Sequence, residues 1–181
     1  MARFVSRSLP CRVSCRFWYD AHLATMKLAK EAPVSESQLA GDHVERLGGF
    51  STIRAGAGVN QWNGAHYAMG LSEQTVGSHI LSMNVARLAA GGTIEAHIHD
   101  GYEVGLYVLE GRLEHRFGPG LTNSLVNGPG DFIFVEPGVP HAAFNLSDTE
   151  PVVVVVARTS SAEWARAIPY DPAQERDARS T

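Results

Sequence analysis

The sequence predicts an all-β fold, a sandwich or barrel of short antiparallel strands, and two observations lead there. From Ile80 onward, short apolar stretches are cut by Gly and Pro at intervals of roughly ten residues, the rhythm of strand and turn in such folds. No long stretch of helical period interrupts them. At 181 residues the chain suits one principal domain, large enough to bury a core without covalent staples.

The elements can be justified in order. Residues 1–40 are expected to be a loosely ordered extension, 41–170 the β-barrel domain, and 171–181 a loose tail. Arg3, Arg7, Arg12 and Arg16 stand against the single acid Asp20 in residues 1–25, a composition that a transit peptide can have. That segment lacks the continuous apolar stretch of a secretory signal, and Met26 would serve equally well as a start. A disordered or misassigned extension is therefore preferred. Cys11 and Cys15 fall there too, outside the strand region, and are expected to be free thiols, since His22 alone does not complete a metal site.

Phe50 to Ser78 is punctuated by Gly56, Gly58, Gly64 and Gly70 and carries Trp62, His66 and Tyr67 without a sustained period. It is expected to be irregular, with one or two edge strands. Leu81, Met83 and Val85 alternate with Ser82 and Asn84, which predicts a strand burying the apolar set. Gly105 to Glu110 and Arg112 to Phe117 flank Gly111 as a hairpin, with Leu113, His115 and Phe117 on one face. Leu121 to Val126 and Phe132 to Val135 are closed by Gly128-Pro129-Gly130 and Pro137-Gly138. His141 to Asn145 and Val152 to Ala157 complete the series. The five valines from Val152 are apolar on both faces, which suits a strand covered by the barrel interior and by a second subunit, so a homodimer is expected. Ser160 and Glu163 have capping-box spacing before Trp164, predicting a short C-terminal helix.

Charge and hydropathy narrow the function classes. The formal net charge is -4 with both signs intermixed, so no basic stripe invites nucleic acid or an anionic membrane. The longest apolar run, Val152 to Ala157, falls far short of the roughly 20 residues a spanning helix needs. A cytoplasmic protein acting on a small molecule is expected.

The stretch richest in chemistry is Gly91-Gly-Thr-Ile-Glu-Ala-His97-Ile-His99-Asp-Gly-Tyr-Glu103. Two histidines separated by one residue on a strand project from the same face and suit one ion. Glu103 follows a turn at Asp100-Gly101 that can bring its carboxylate back toward them. Gly130-Asp-Phe-Ile-Phe-Val-Glu-Pro137-Gly138-Val-Pro-His141 supplies a third imidazole just after a sharp turn. His22, His43, His66, His79 and His115 lack such partners and are read as ordinary core or surface residues.

These two stretches resemble the paired motifs of the cupin superfamily. The first motif has Gly, five residues, His-x-His, three or four residues and Glu; the second has Gly, five residues, Pro-x-Gly, two residues and His. With the flanking strands the resemblance runs from about Ile80 to Ala157. The chain looks like a small single-domain bacterial cupin of unassigned activity, a group with which it shares Tyr107-Val-Leu-Glu-Gly111 and Ser147-Asp-Thr-Glu-Pro151. The resemblance implies a double-stranded β-helix, the cupin jelly-roll barrel. It also implies one divalent metal ion on His97, His99, Glu103 and His141. Two departures stand out: Glu136 occupies a proline position, and seven residues rather than six separate Glu103 from Gly111. A one-residue shift reverses side-chain facing, so a β-bulge near Tyr102 to Val104 is expected to restore Glu103.

Three imidazoles and a carboxylate suit iron, manganese, nickel, cobalt or zinc, with iron or manganese favoured. Open coordination positions would admit substrate beside dioxygen, and dioxygenases are frequent among the cupins this chain resembles. A metal-dependent dioxygenase-type oxidoreductase is therefore expected. A non-redox isomerase, lyase or decarboxylase is the alternative, and a non-catalytic small-molecule-binding module the third reading. Glu95, two residues before His97, is a candidate acid or base on the same strand face, and Tyr102 a candidate donor to a metal-bound oxygen. Tyr107 has an uncertain facing. Arg112 and Arg158 could meet a substrate carboxylate, but polar residues on strand faces are usually solvated, so neither is assigned a role.

Overall fold

A computed structural model describes residues 43–162 and 166–173. Cys11, Cys15, the arginine-rich extension, positions 163–165, on which the expected helix would fall, and the last eight residues lie outside the described residues.

Thirteen strands are present among the described residues, and every pairing is antiparallel. In chain order they are β1 (Val44–Leu47), β2 (Phe50–Ile53), β3 (Val59–Trp62), β4 (Ala65–Leu71), β5 (Ser82–Leu88), β6 (Thr93–His99), β7 (Val104–Glu110), β8 (Leu113–Phe117), β9 (Asn123–Asn127), β10 (Phe132–Val135), β11 (His141–Asn145), β12 (Val152–Arg158) and β13 (Ala167–Pro169). One sheet has the order β10-β7-β12-β5-β4-β3 and the other β13-β6-β11-β8-β9, while β1 and β2 pair separately. This is the two-sheet arrangement of a jelly roll, as expected.

The core lies between the two sheets. Val152, Val154 and Val156 of β12 alternate inward and meet Val104 and Val108 of β7, Ala86 and Leu88 of β5, and Leu113 of β8. Each fully buried valine contributes roughly 1.5–3 kcal/mol relative to exposure, so apolar burial holds the barrel's shape. Gly111, at φ 77°, turns the β7–β8 hairpin where a side chain would strike Val152 and the Pro151 carbonyl.

The structure corrects three expectations. Phe50 to Ser78 is strand-rich, and β3 and β4 belong to the six-stranded sheet. They are joined by Asn63 at φ 47° and Gly64 at φ 86°, the left-handed pair of a two-residue hairpin turn. The Asn-Gly signal was present in the sequence and outranks the missing periodicity. The facing of β5 is also reversed: Ser82 and Asn84 are buried, while Leu81 and Met83 are about two-fifths exposed. Ala86 and Leu88 set the inward parity of β5, and Asn84 is held inside by Arg158, whose Nη1 donates to its Oδ1 at 2.6 Å.

The third correction concerns the bulge. The β7–β12 register is continuous from Val104↔Arg158 to Val108↔Val154 and shifts only between Val153 and Val154, so the extra residue of β7 lies between Val108 and Glu110. A second irregularity interrupts β6, where His141 faces His97 but Ala143 faces Ile94, giving β6 one residue more than β11 across that interval. Both places differ from Tyr102–Val104.

Candidate metal centre

β6 and β11 lie side by side, and their pairing of His97 with His141 sets those two imidazoles together. His99 follows on the inward face of β6. The tight turn before β11 is tied to the same strand, because Gly138, at φ 79°, donates its N–H to the His99 carbonyl at 2.9 Å. The result is a cluster of three buried histidines whose ligand nitrogens all lie within 4.8 Å of one another. These three residues could hold a metal ion.

Each ring is oriented from behind. His97 Nδ1 donates to the Glu95 carbonyl at 2.8 Å, and His141 Nδ1 donates to the Val139 carbonyl at 2.9 Å. Carbonyls only accept, so these contacts fix the Nδ1–H tautomer and turn the Nε2 lone pair toward the cluster. His99 Nδ1 is 2.8 Å from the Tyr102 hydroxyl. Burial is the main reason all three imidazoles are hard to protonate. His141 is pushed down to about 4, with His97 adding to the effect, and His99 to about 2, with His141 and His97 adding to it. His97 is lowered as well. Neutral, convergent imidazoles with supported Nδ1 atoms are the donor set that a borderline divalent ion requires, so the residues fit such an ion.

The cluster opens on a cavity of about 70 Å3 between the sheets. Its walls are largely apolar, including Trp62, Ile94, Leu113 and Val135. Trp62 sits edge-on to His97 with ring centroids 5.2 Å apart. Beside it, Asn63 donates from Nδ2 to the Glu95 carbonyl at 2.9 Å and lies 3.2 Å from His97 Nδ1. His115 also lines the cavity, its Nδ1 3.2 Å from Asn127 Oδ1 and its basicity lowered by burial. Arg158 completes the wall at 3 % exposure.

The carboxylates are placed elsewhere. Glu103 is exposed and outside the histidine cluster. Its backbone pairs with the end of β12, its N–H donating to Thr159 Oγ1 at 3.0 Å and its carbonyl accepting from the Thr159 N–H at 3.1 Å. With no bulge at Tyr102–Val104, the alternation turns Tyr102 and Val104 inward and Glu103 outward. With six intervening residues before Gly111 instead of seven, the motif's acidic position falls on Val104, and four residues then separate it from His99. Val104 lines the cavity there. Glu95 is exposed too, because the irregularity in β6 breaks the parity linking it to His97, and it serves the site through its carbonyl. Tyr102 is buried with its hydroxyl against His99 Nδ1. Tyr107 lies on the outer face of β7, its ring 4.6 Å from Phe132.

Comparison with known proteins agrees with this architecture. The Cupin domain family matches residues 84–158. Over those residues, about two fifths of the chain, it is similar to a cupin domain. No curated protein sequence matches it significantly. Among solved structures, a recombinant oxalate oxidase in complex with glycolate is 28% identical, with a TM-score of 0.48 and 55% of this chain and 52% of that one covered. This chain thus spans about half the length of that protein. A Lactobacillus farciminis oxalate decarboxylase formate complex is 16% identical with a TM-score of 0.50, covering 57% of this chain and 31% of that one. The polyketide cyclase RemF from Streptomyces resistomycificus is 20% identical with a TM-score of 0.50, covering 59% and 71%. The latter two likenesses concern the cupin fold alone. No helix among the described residues is long and apolar enough to cross a membrane.

Proposed function

We propose that this cupin acts on a small molecule inside the barrel, with one divalent ion on His97, His99 and His141, and that its reaction is a dioxygenase-type oxidation. The observation that carries this reading is the convergence of three buried imidazoles, each supported at Nδ1. When bound, an iron or manganese ion would supply Lewis acidity and a route for electrons to dioxygen. The chain supplies the rest. Its neutral imidazoles leave the ion's charge undiminished, Trp62, Ile94 and Leu113 keep bulk water out, and Tyr102 and the Glu95 and Val139 carbonyls hold the rings in place.

A non-redox isomerase, lyase or decarboxylase would use the same ion but also needs a group to move a proton. Among the described residues His115 on the cavity wall is the imidazole outside the triad that such a reaction would use. The test is anaerobic loading with iron, manganese, nickel, cobalt or zinc, followed by oxygen-uptake assays on catechols, diketones and short 2-oxo acids. Uptake with iron or manganese and none with zinc is expected. Equal turnover with zinc or without oxygen would establish the non-redox reading, and tight ligand binding without turnover the binding-module reading. Failure to retain any ion would end all metal-dependent versions.

A homodimer is supported by the outer face of the six-stranded sheet. There Gly105, Tyr107, Phe132, Phe134, Val155 and Ala157 line an open groove of about 420 Å3, and Phe132 is 82 % exposed. Such a patch at a sheet edge is what a subunit interface covers. Sedimentation equilibrium of the full chain should give a dimer, and Phe132→Glu should shift it to monomer; a monomeric parent would refute the pairing.

A further inference from the structure

The five-stranded sheet gives the cavity a fourth imidazole. His115 is buried on the inward face of β8, opposite Ala143 of β11 and Leu125 of β9. It stands outside the group whose ligand nitrogens lie within 4.8 Å of one another, so the ion's site does not absorb it. Asn127 of β9 is paired with Leu113, two residues before His115 on the same face, and this diagonal brings its Oδ1 to 3.2 Å from His115 Nδ1. An amide oxygen only accepts, so the contact sets the Nδ1–H tautomer and leaves the Nε2 lone pair on the other side of the ring. His115 lines the cavity, and that side is the one a ligand can meet. Burial opposes protonation, so the ring is a neutral acceptor at neutral pH.

We propose that the ligand of this barrel is a short hydroxy ketone or related hydroxylated carbonyl compound, whose hydroxyl donates to His115 Nε2 while its carbonyl oxygen faces His97, His99 and His141. The spacing follows from the sheet. Ala143, across from His115, is two residues along β11 from His141, so His115 and His141 are diagonal neighbours on one face. Such pairs stand about 7–8 Å apart at the backbone, near enough for one small molecule to meet both rings. The chemistry follows from the lone pair: a bare carboxylate has no hydrogen to give Nε2, whereas a hydroxyl does. Ile94, Leu113 and Ala143 around it offer only hydrocarbon, so leaving that acceptor unmet by a bound ligand is costly. A volume of about 70 Å3 corresponds to roughly two waters at ~30 Å3 each, which limits the ligand to a few carbons. This inference deepens the small-molecule reading above, but the His115 half of it requires no ion.

The test compares hydroxyacetone with acetone, which lacks the hydroxyl, and with methoxyacetone, which lacks the hydroxyl hydrogen. Calorimetry gives the affinities, and long-range proton–nitrogen spectra of the imidazoles read the tautomer and contact of His115, on metal-free and on zinc-loaded protein. In the wild type hydroxyacetone should bind about fivefold or more tighter than either analogue, the scale of satisfying a buried acceptor. It should also move the Nε2 resonance of His115, which carries no proton before binding. His115→Phe should bring the three ligands within about twofold while zinc affinity persists, and His115→Gln, whose amide oxygen can accept, should keep part of the preference. The wild-type comparison and the resonance decide the matter even if a variant fails to fold. Equal binding of the three, binding of none, or a proton on Nε2 overturns the proposal. Zinc retention without the preference would leave the metal reading standing alone, and the preference in a protein that retains no zinc would leave only the His115 assignment.

Discussion

The Tyr102 hydroxyl lies 2.8 Å from Nδ1 of His99, three residues back along the chain. The other two imidazoles lean on main-chain carbonyls, so this is the one ring of the triad whose support can be deleted by a side-chain change. Tyr102→Phe keeps the buried ring and removes the partner. It should weaken divalent-ion binding by about 10–100-fold, the usual cost of losing such support, with little change in thermal midpoint. Competition against a fluorescent chelator measures it, and unchanged affinity would show that the contact does not hold the ring.

Glu95 and Glu103 should be dispensable for the ion. Their carboxylates are exposed, so Glu95→Gln and Glu103→Gln should each leave metal affinity within about twofold, as surface substitutions usually do. His97→Ala in the same titration should abolish tight binding. A large loss in Glu103→Gln would mean that this side chain swings inward when the ion arrives.

Val104→Glu tests the motif count directly. A carboxylate at the inward position of β7 stands in the cavity wall with the three imidazoles. Metal affinity should rise by about tenfold or more, as a charged ligand joins a neutral set. The metal-free variant should lose on the order of 3 kcal/mol of stability through the buried charge, lessened where Arg158 pairs with it. Urea unfolding with and without zinc reads both effects, and an unaltered affinity would refute the assignment of position 104.

The buried imidazoles also predict how the metal-free fold responds to acid. Their folded-state affinities for protons lie below the ordinary histidine value of about 6.5, so the unfolded chain binds more protons between the two. Stability should be full above about pH 6.5 and fall as the pH drops toward about 4, where His141 titrates in the folded state. Each such group contributes a slope of about 1.4 kcal/mol per pH unit within its window. Urea midpoints taken at half-unit steps on metal-free protein would show it. A flat profile from pH 7 to 5 would mean that the cluster is solvated.

The sequence showed the barrel and the histidines clearly because both depend on short-range chemistry. Strands of four to seven residues bounded by Gly and Pro can be read locally, and His97, Ile98, His99 fixes a shared face within one strand. The carboxylates were misplaced because facing depends on where a sheet absorbs an extra residue. That is decided by pairing with β11 and β12, well away in sequence, and neither irregularity carries a Gly or Pro signal. The inward facing of Ser82 and Asn84 was hidden for a related reason. Alternation shows which residues share a face but not which face is inside, and Arg158, which makes a polar interior acceptable, lies 74 residues from Asn84. Asn63-Gly64 was the one legible signal passed over.

That hairpin has a consequence for how the site comes into being. Gly64 lies so close to β6 that any side chain there would collide with the Thr93 carbonyl, and Asn63 and Trp62 reach His97 from the same tip. On the other flank, β13 pairs its Ala167, Ile168 and Pro169 with His99, Ile98 and His97. The strand that carries two of the three imidazoles is thus clasped by segments from both sides of the matched domain, 84–158. A fragment cut to that domain would keep its histidines and lose the clasp, so the pocket is a product of the longer chain, finished only when its two outlying segments have closed over β6.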